Sequence, residues 1–256
     1  MGRLKGKVII ITGASGGLGK QTAIRFAEEG AKLAICARTE SKLEETKELC
    51  EKAGAQVEAV IADVCDYESI KAFVEKTVER FGAVDVLVNN AATISPPMDF
   101  IDQDTYDLDE AIHSGLYGTW HMMQLCFPHM KEHGGSIINF GSMGGVLGME
   151  GFASYAAEKE AIRGLSRVVA REWGQYNIRV NCVCPNVVTD RVEEGIEVAP
   201  PAMKEFLVGS MSDNAMKRMG YAYTEFTPAM VFLASDDSLW VTGQTLPIDG
   251  GAMIHA

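Results

Sequence analysis

Seven short apolar, β-branched runs alternate with helical patterns along nearly the whole chain, and that rhythm leaves few folds open. The runs fall at 7–12 (KVIIIT), 31–37, 56–61, 84–89, 135–140, 178–183 and 244–248. Helical segments lie between them near 18–29, 41–53, 67–81, 103–131, 153–174 and 224–234. Runs that are continuously apolar suit strands covered on both faces. Repeated strand–helix–strand units predict a parallel sheet with helices on both sides. Gly30 and Gly54 close the first two helices, as glycine does where the chain must turn left-handed. No linker or repeat intervenes, so 1–256 is predicted to be a single α/β domain with a doubly wound sheet of about seven strands.

One segment, about 186–222, breaks the rhythm. It carries Pro200-Pro201 and the methionines Met203, Met211, Met216 and Met219. It follows the carboxyl end of the sixth run, where open α/β sheets place ligand-binding loops. It is predicted to be a substrate-binding loop region; a surface excursion is the plainer alternative.

Composition excludes several classes. A net charge of −12 repels phosphate backbones, so no nucleic-acid partner is expected. The six cysteines include no C-x-x-C pair and no zinc spacing, so no metal is expected and a reducing cytoplasm is the simplest setting. The acidic cluster of Asp99, Asp102, Asp104, Asp107, Asp109 and Glu110 reads as a solvated helix start. Val8–Ile11 is too short for a signal-peptide core, and Gly6 stands where a myristoylation signal wants Ser or Thr. No apolar run is long enough to cross a membrane.

The first strand runs straight into Thr12-Gly13-Ala14-Ser15-Gly16-Gly17-Leu18-Gly19, and a helix follows. Glycines let the backbone approach a pyrophosphate closely, and the helix amino terminus offers free N–H groups and partial positive charge. The spacing is G-x-x-x-G-x-G rather than G-x-G-x-x-G. Cofactor contacts are expected from Gly13, Ser15, Gly17, Leu18 and Gly19. At the end of the second strand an acidic residue suits the NAD ribose, whereas arginine accommodates the extra phosphate of NADP. Arg38 stands there, with no carboxylate before Glu40, so NADP is preferred and NAD stays possible.

Tyr155 and Lys159 are four apart in a helix-forming run, on one face. A phenol, with an ordinary pKa of about 10, exchanges its proton poorly at neutral pH unless a neighbouring cation favours its anion. Ser142 lies thirteen residues earlier, at the end of a strand-like run.

Over essentially its whole length the chain resembles the short-chain dehydrogenase/reductase family, with its Rossmann-type fold. The resemblance rests on Thr12–Gly19, Asp63, Asn89-Asn90-Ala91, Ser142, Tyr155 and Lys159. Arg179-Val180-Asn181 leading to Pro185 and Thr189, and Asp249-Gly250-Gly251, complete it. It implies that Tyr155 is the general acid for carbonyl reduction and the general base for alcohol oxidation. Ser142 would polarise the substrate oxygen, and Lys159 would favour the phenolate and bind the nicotinamide ribose. Gly13, Gly17 and Gly19 would shape the pyrophosphate turn, Asp63 with Val64 would contact adenine, and Asn90 would support the adenosine side. Val188 and Thr189 would hold the nicotinamide carboxamide. Helices 103–131 and 153–174, with Trp120 and Val168, would pair between subunits of a homo-oligomer, a tetramer or dimer.

Three positions depart from the family pattern: Ala92 and Asn186 replace glycines, and Gly115 stands where the fourth helix usually carries an asparagine. That asparagine supports a helix kink and a water reaching the lysine. His113 beside it is either a relay replacement or a structural histidine. The expected function is hydride transfer between NADP(H) or NAD(H) and a ketone or secondary alcohol. Met143, Val146, Leu147, Met149 and Phe152 suggest an apolar substrate such as a hydroxysteroid or bile acid. The alternatives are a nucleotide-binding regulatory or structural protein with impaired catalysis, and a carrier-protein-linked reductase, which would want a basic docking face.

Overall fold

The computed structural model describes residues 2–254. Seven strands form one parallel sheet: β1 (Val8–Thr12), β2 (Lys32–Ala37), β3 (Val57–Ile61), β4 (Val86–Asn89), β5 (Gly135–Phe140), β6 (Ile178–Pro185) and β7 (Thr245–Ile248). Their order is β3-β2-β1-β4-β5-β6-β7. All seven match the predicted runs: β1, β2, β4, β5 and β6 are almost wholly buried apolar stretches, while β3 and β7, at the two sheet edges, are only partly covered.

The two faces are filled by alternate residues of the same strands. Ile9, Ile11, Leu33 and Ile35 meet Phe26 of α1 (Gly17–Glu28) and Phe226, Met230 and Val231 at α10 (Thr227–Ala234). Ile10, Ala34, Leu87 and Ile137 meet Ile70 and Phe73 of α3 (Tyr67–Phe81), and Met122 and Met123 of α5 (Gly118–Cys126). Other helices are α2 (Glu40–Lys52), α4 (Thr105–Ala111) and α7 (Ala153–Trp173). Local chemistry sets several helix starts. Asp66 accepts from the amides of Glu68 and Ser69 to begin α3, which ends at left-handed Gly82. Asp104 and Asp107 form a reciprocal capping box on α4, which accounts for part of the acidic cluster.

Two regions differ from expectation. The helix predicted over 103–131 is broken: between α4 and α5 the chain makes a π-helical turn, Ile112–Tyr117. The segment 186–222 is largely helical rather than loop, with α8 (Asp190–Val198) and α9 (Pro201–Ser212), the second opened by its own proline at the first helical position. A short α6 (Met143–Leu147) also follows β5.

β1 lies between β2 and β4, so the chain winds outward in both directions from it. Open α/β sheets bind ligands in the crevice beyond the strand ends at that reversal.

Candidate active site

At the crevice, the glycine turn is tied to the loop after β4. The buried Thr12 hydroxyl accepts from the Asn90 and Ala91 amides, both at 3.1 Å. The Asn90 carboxamide donates to the carbonyls of Thr12 (2.9 Å) and Gly13 (3.0 Å). Gly13 takes φ +68° and Gly17 φ +53°, a region side chains rarely adopt. A Cβ on Gly13 would also stand 2.9 Å from Ala91 Cα. The helix that follows has Gly16 at its N-cap, no capping side chain and no acidic residue in its first turn. Its positive end is therefore open to an anion.

A cleft of about 650 Å³ runs from this turn across the ends of β2 and β3. Of the predicted cofactor contacts, Gly13, Ser15, Gly17, Arg38, Asp63, Val64 and Asn90 line it. Leu18 and Gly19 sit behind the turn, Leu18 packed against the core and Gly19 buried. Asp63 accepts from the Cys65 amide at 3.0 Å and fixes the turn after β3. Thr189 caps α8 and faces the glycine turn: a Cβ on Gly17 would come within 4.0 Å of its hydroxyl. Val188 is buried, its amide donating to Gly220 O at 2.7 Å. The uncapped helix end and the glycine cradle, with Arg38 and Lys42 on the lining at the β2 end, suit a dinucleotide.

The three predicted catalytic residues fall on adjoining segments. Ser142 follows β5 and caps α6, its hydroxyl accepting from Gly144 N at 3.0 Å. α6 rests on α7 where a Cβ on Gly145 would lie 3.3 Å from Ala156 O, beside Tyr155. Lys159 Nζ stands 5.3 Å from the centre of the Tyr155 ring. Tyr155 is half-buried and borders a small pocket with Ser95, Pro96, Met98, Gln103 and Phe152.

Comparison with known proteins decides the family. A family model described as Enoyl-(Acyl carrier protein) reductase matches residues 13–253. A putative short-chain dehydrogenase/reductase from Burkholderia xenovorans superimposes with a TM-score of 0.91 at 33% identity, over 98% of each chain. The chain belongs to the short-chain dehydrogenase/reductase family. The 12alpha-hydroxysteroid dehydrogenase of Clostridium sp. is 40% identical to it over 260 residues, 98% of each chain. Carveol dehydrogenase from Mycobacterium avium, solved in complex with NAD, matches at a TM-score of 0.88 and 30% identity, over 98% of this chain and 99% of that one. This short-chain dehydrogenase/reductase is therefore an NAD(P)-dependent oxidoreductase of alcohol and ketone groups. Among the described residues no helix is long and apolar enough to cross a membrane.

Two residues of this dehydrogenase/reductase escaped sequence reasoning. Ser114, in the π turn, accepts from Thr93 N at 3.0 Å and donates to Glu110 O at 2.9 Å, so it ties the turn to the loop after β4. Glu158, wholly buried on α7, has its Oε1 2.9 Å from Lys159 Nζ. Burial pushes the Glu158 carboxyl up, and the Lys159 ammonium only partly opposes this. Burial also acts to lower Lys159, but the Glu158 carboxylate and Tyr155 outweigh it and hold the ammonium above the usual lysine range. The two groups form one buried ion pair. His113 takes no part: it is exposed, bonded to Asp109 O at 2.7 Å, with its ring edge-on to Tyr117.

Proposed function

We propose that this enzyme transfers a hydride between NADP(H) and the ketone or secondary alcohol of a moderately large apolar compound, a hydroxysteroid or bile acid. The observation that carries the reading is the Lys159 ammonium against the Tyr155 ring, on the helix that packs against the π turn whose Ser114 lines the cleft. A nicotinamide cofactor supplies the hydride chemistry when bound. Gly13, Gly17 and the α1 amino terminus would hold its pyrophosphate, and Thr189 its carboxamide. The Tyr155 hydroxyl gives its proton to the substrate oxygen during reduction and takes one back during oxidation. Lys159 places a positive charge where it favours the phenolate, and Ser142 donates a hydrogen bond to the same substrate oxygen.

Arg38, exposed in the cleft and making no ion pair among the described residues, supports NADP. Lys20 and Lys42 line the same end, although Lys20 is engaged by Glu45 at 2.6 Å. Exposed Leu147, Met149 and Met98 near Tyr155 support an apolar substrate, as does the likeness to a hydroxysteroid dehydrogenase. Trp120 and Val168, about half exposed on α5 and α7, support a homo-oligomer. A chain that sediments only as a monomer at micromolar concentration would remove that part.

The test of the chemistry is spectrophotometric. Purified protein with NADPH or NADH and a panel of ketones, hydroxysteroid-derived ones included, is expected to consume reduced cofactor with at least one. Tyr155→Phe is expected to lower that rate by about 10²-fold or more. An unchanged rate in the variant overturns the mechanism.

A further inference from the structure

Gly115 and Glu158 are two halves of one arrangement. A Cβ on Gly115 would fall inside the Glu158 carboxylate. The asparagine that the family resemblance puts at 115 and the glutamate at 158 therefore cannot share this space. The π turn 112–117 brings the bare Gly115 backbone to α7, and Ser114 holds that turn in place from its other side. On α7, residues 155, 158 and 159 share a face, so the carboxylate is packed beside the catalytic pair.

We propose that Glu158 is a positioning residue of the active site: its carboxylate occupies the room that Gly115 leaves, and steadies Lys159 beside Tyr155 in place of the family's asparagine. The proposal rests on the Tyr155–Lys159 reading above.

The arrangement is a costly one for packing alone. Glu158 is 0% exposed, and neither of its oxygens accepts a well-directed hydrogen bond from any described group. Its one charged partner among the described residues is the ammonium at 2.9 Å, close enough for strong attraction. A buried carboxylate with a single partner is expensive, and an alanine would fill α7 without that cost. What the carboxylate adds is a fixed charge on the lysine. The titratable groups facing the pair are Tyr155 from α7 and Cys182 from β6, while the π turn contributes only the Gly115 backbone. The carboxylate also offsets part of the ammonium's charge beside the Tyr155 ring, so removing it leaves that charge uncompensated.

Three variants test this: Glu158→Gln, Glu158→Ala and the exchange Gly115→Asn/Glu158→Ala. Each is assayed for Tm, for NADPH Kd by fluorescence titration, and for kcat and KM on a ketone and alcohol pair turned over by the parent enzyme. Glu158→Ala is expected to lower kcat by about 10–100-fold, with the ketone KM within about threefold, and to weaken NADPH binding. The exchange variant is expected to recover most of both losses. Glu158→Gln, which keeps the shape, is expected to move the rising limb of the oxidation pH profile down by about one unit. Wild-type kcat, Kd and pH profile in both single variants would overturn the proposal. So would a folded exchange variant that recovers nothing. If Glu158→Ala does not fold, the pH limb of Glu158→Gln decides. Should Tyr155→Phe keep the full rate, the parent reading fails. The NADPH affinities of Glu158→Ala and the exchange variant still decide the role of Glu158, because they are read without turnover.

Discussion

Asn90 reaches across from the end of β4 and binds two successive carbonyls, those of Thr12 and Gly13, while the Thr12 hydroxyl returns the contact to the Asn90 and Ala91 amides. Four hydrogen bonds thus join the glycine turn to the floor of the cleft. Thr12→Val keeps the branched shape a strand prefers and removes the acceptor of two amides. Leaving a buried donor unpaired costs about 1–3 kcal/mol. Thr12→Val is expected to lose about 2 kcal/mol in urea unfolding, with the m-value unchanged. A loss below about 0.5 kcal/mol would show that these amides find other partners.

Gly19 and Gly16 separate space from conformation. Helix propensity alone would make Gly19→Ala stabilising by about 1 kcal/mol. A Cβ at 19, however, would collide with the Gly13 carbonyl and lie 2.6 Å from Asn90 Nδ2. Both neighbours are held by the lattice just described and cannot give way cheaply. Gly19→Ala is expected to lower Tm by several degrees and to weaken NADPH binding. Gly16 meets nothing within 4 Å and has an extended backbone, so Gly16→Ala is expected to keep Tm. A rise in Tm for Gly19→Ala would mean that propensity wins and the turn is pliable.

The contrast between what sequence pattern reveals and what it hides runs through the same residues. β1 was legible because a short β-branched apolar run that ends at a glycine turn suits a strand covered on both faces. The Tyr155–Lys159 pair was legible because helical spacing fixes its geometry. Glu158 was not, since an acidic residue in a helix ordinarily faces water and the spacing motif ignores the positions between its ends. The available signal was joint: a glycine replacing asparagine at 115, together with a glutamate directly before the lysine. The π turn was hidden because one extra residue per turn slips the apolar period without abolishing it. In α8 and α9 the adjacent Pro200 and Pro201 read as breakers, yet Pro201 sits at a helix start, where its missing N–H costs nothing.

Arg38 sets a cofactor prediction. Its guanidinium is unpaired among the described residues and lies in the cleft at the end of β2, where a ribose phosphate would add charge. Arg38→Asp replaces attraction for that phosphate with repulsion and offers a carboxylate to an unmodified ribose. The ratio of kcat/KM for NADPH over NADH is expected to fall by about 10²-fold, that is about 2.7 kcal/mol of altered discrimination. An unchanged ratio would leave the choice of NADP without its structural basis.

Glu225 gives a pH prediction for the segment behind Val188. Its carboxylate accepts from Arg218 at 2.9 Å and from the Tyr221 amide at 2.8 Å, and Tyr221 in turn pairs with Val188. The Arg218 hydrogen bond, then the Tyr221 amide, pull its pKa from 4.5 down to about 2. A carboxylate depressed by folding contributes stability that is present above the unfolded value and lost as pH falls through the folded one. The window therefore runs from about 4.5 down to about 2. Because Glu225 lies in contact with solvent, the effect is local rather than global. The hydrogen-exchange protection factors of the Val188 and Ala222 amides, which pair with Gly220 O and Val188 O, are expected to decline across that window. In Glu225→Gln they are expected to be low already at neutral pH and flat with acidification. Protection that stays constant in the parent chain from pH 5 to pH 2 would show that the Arg218–Glu225 tether does not hold this segment.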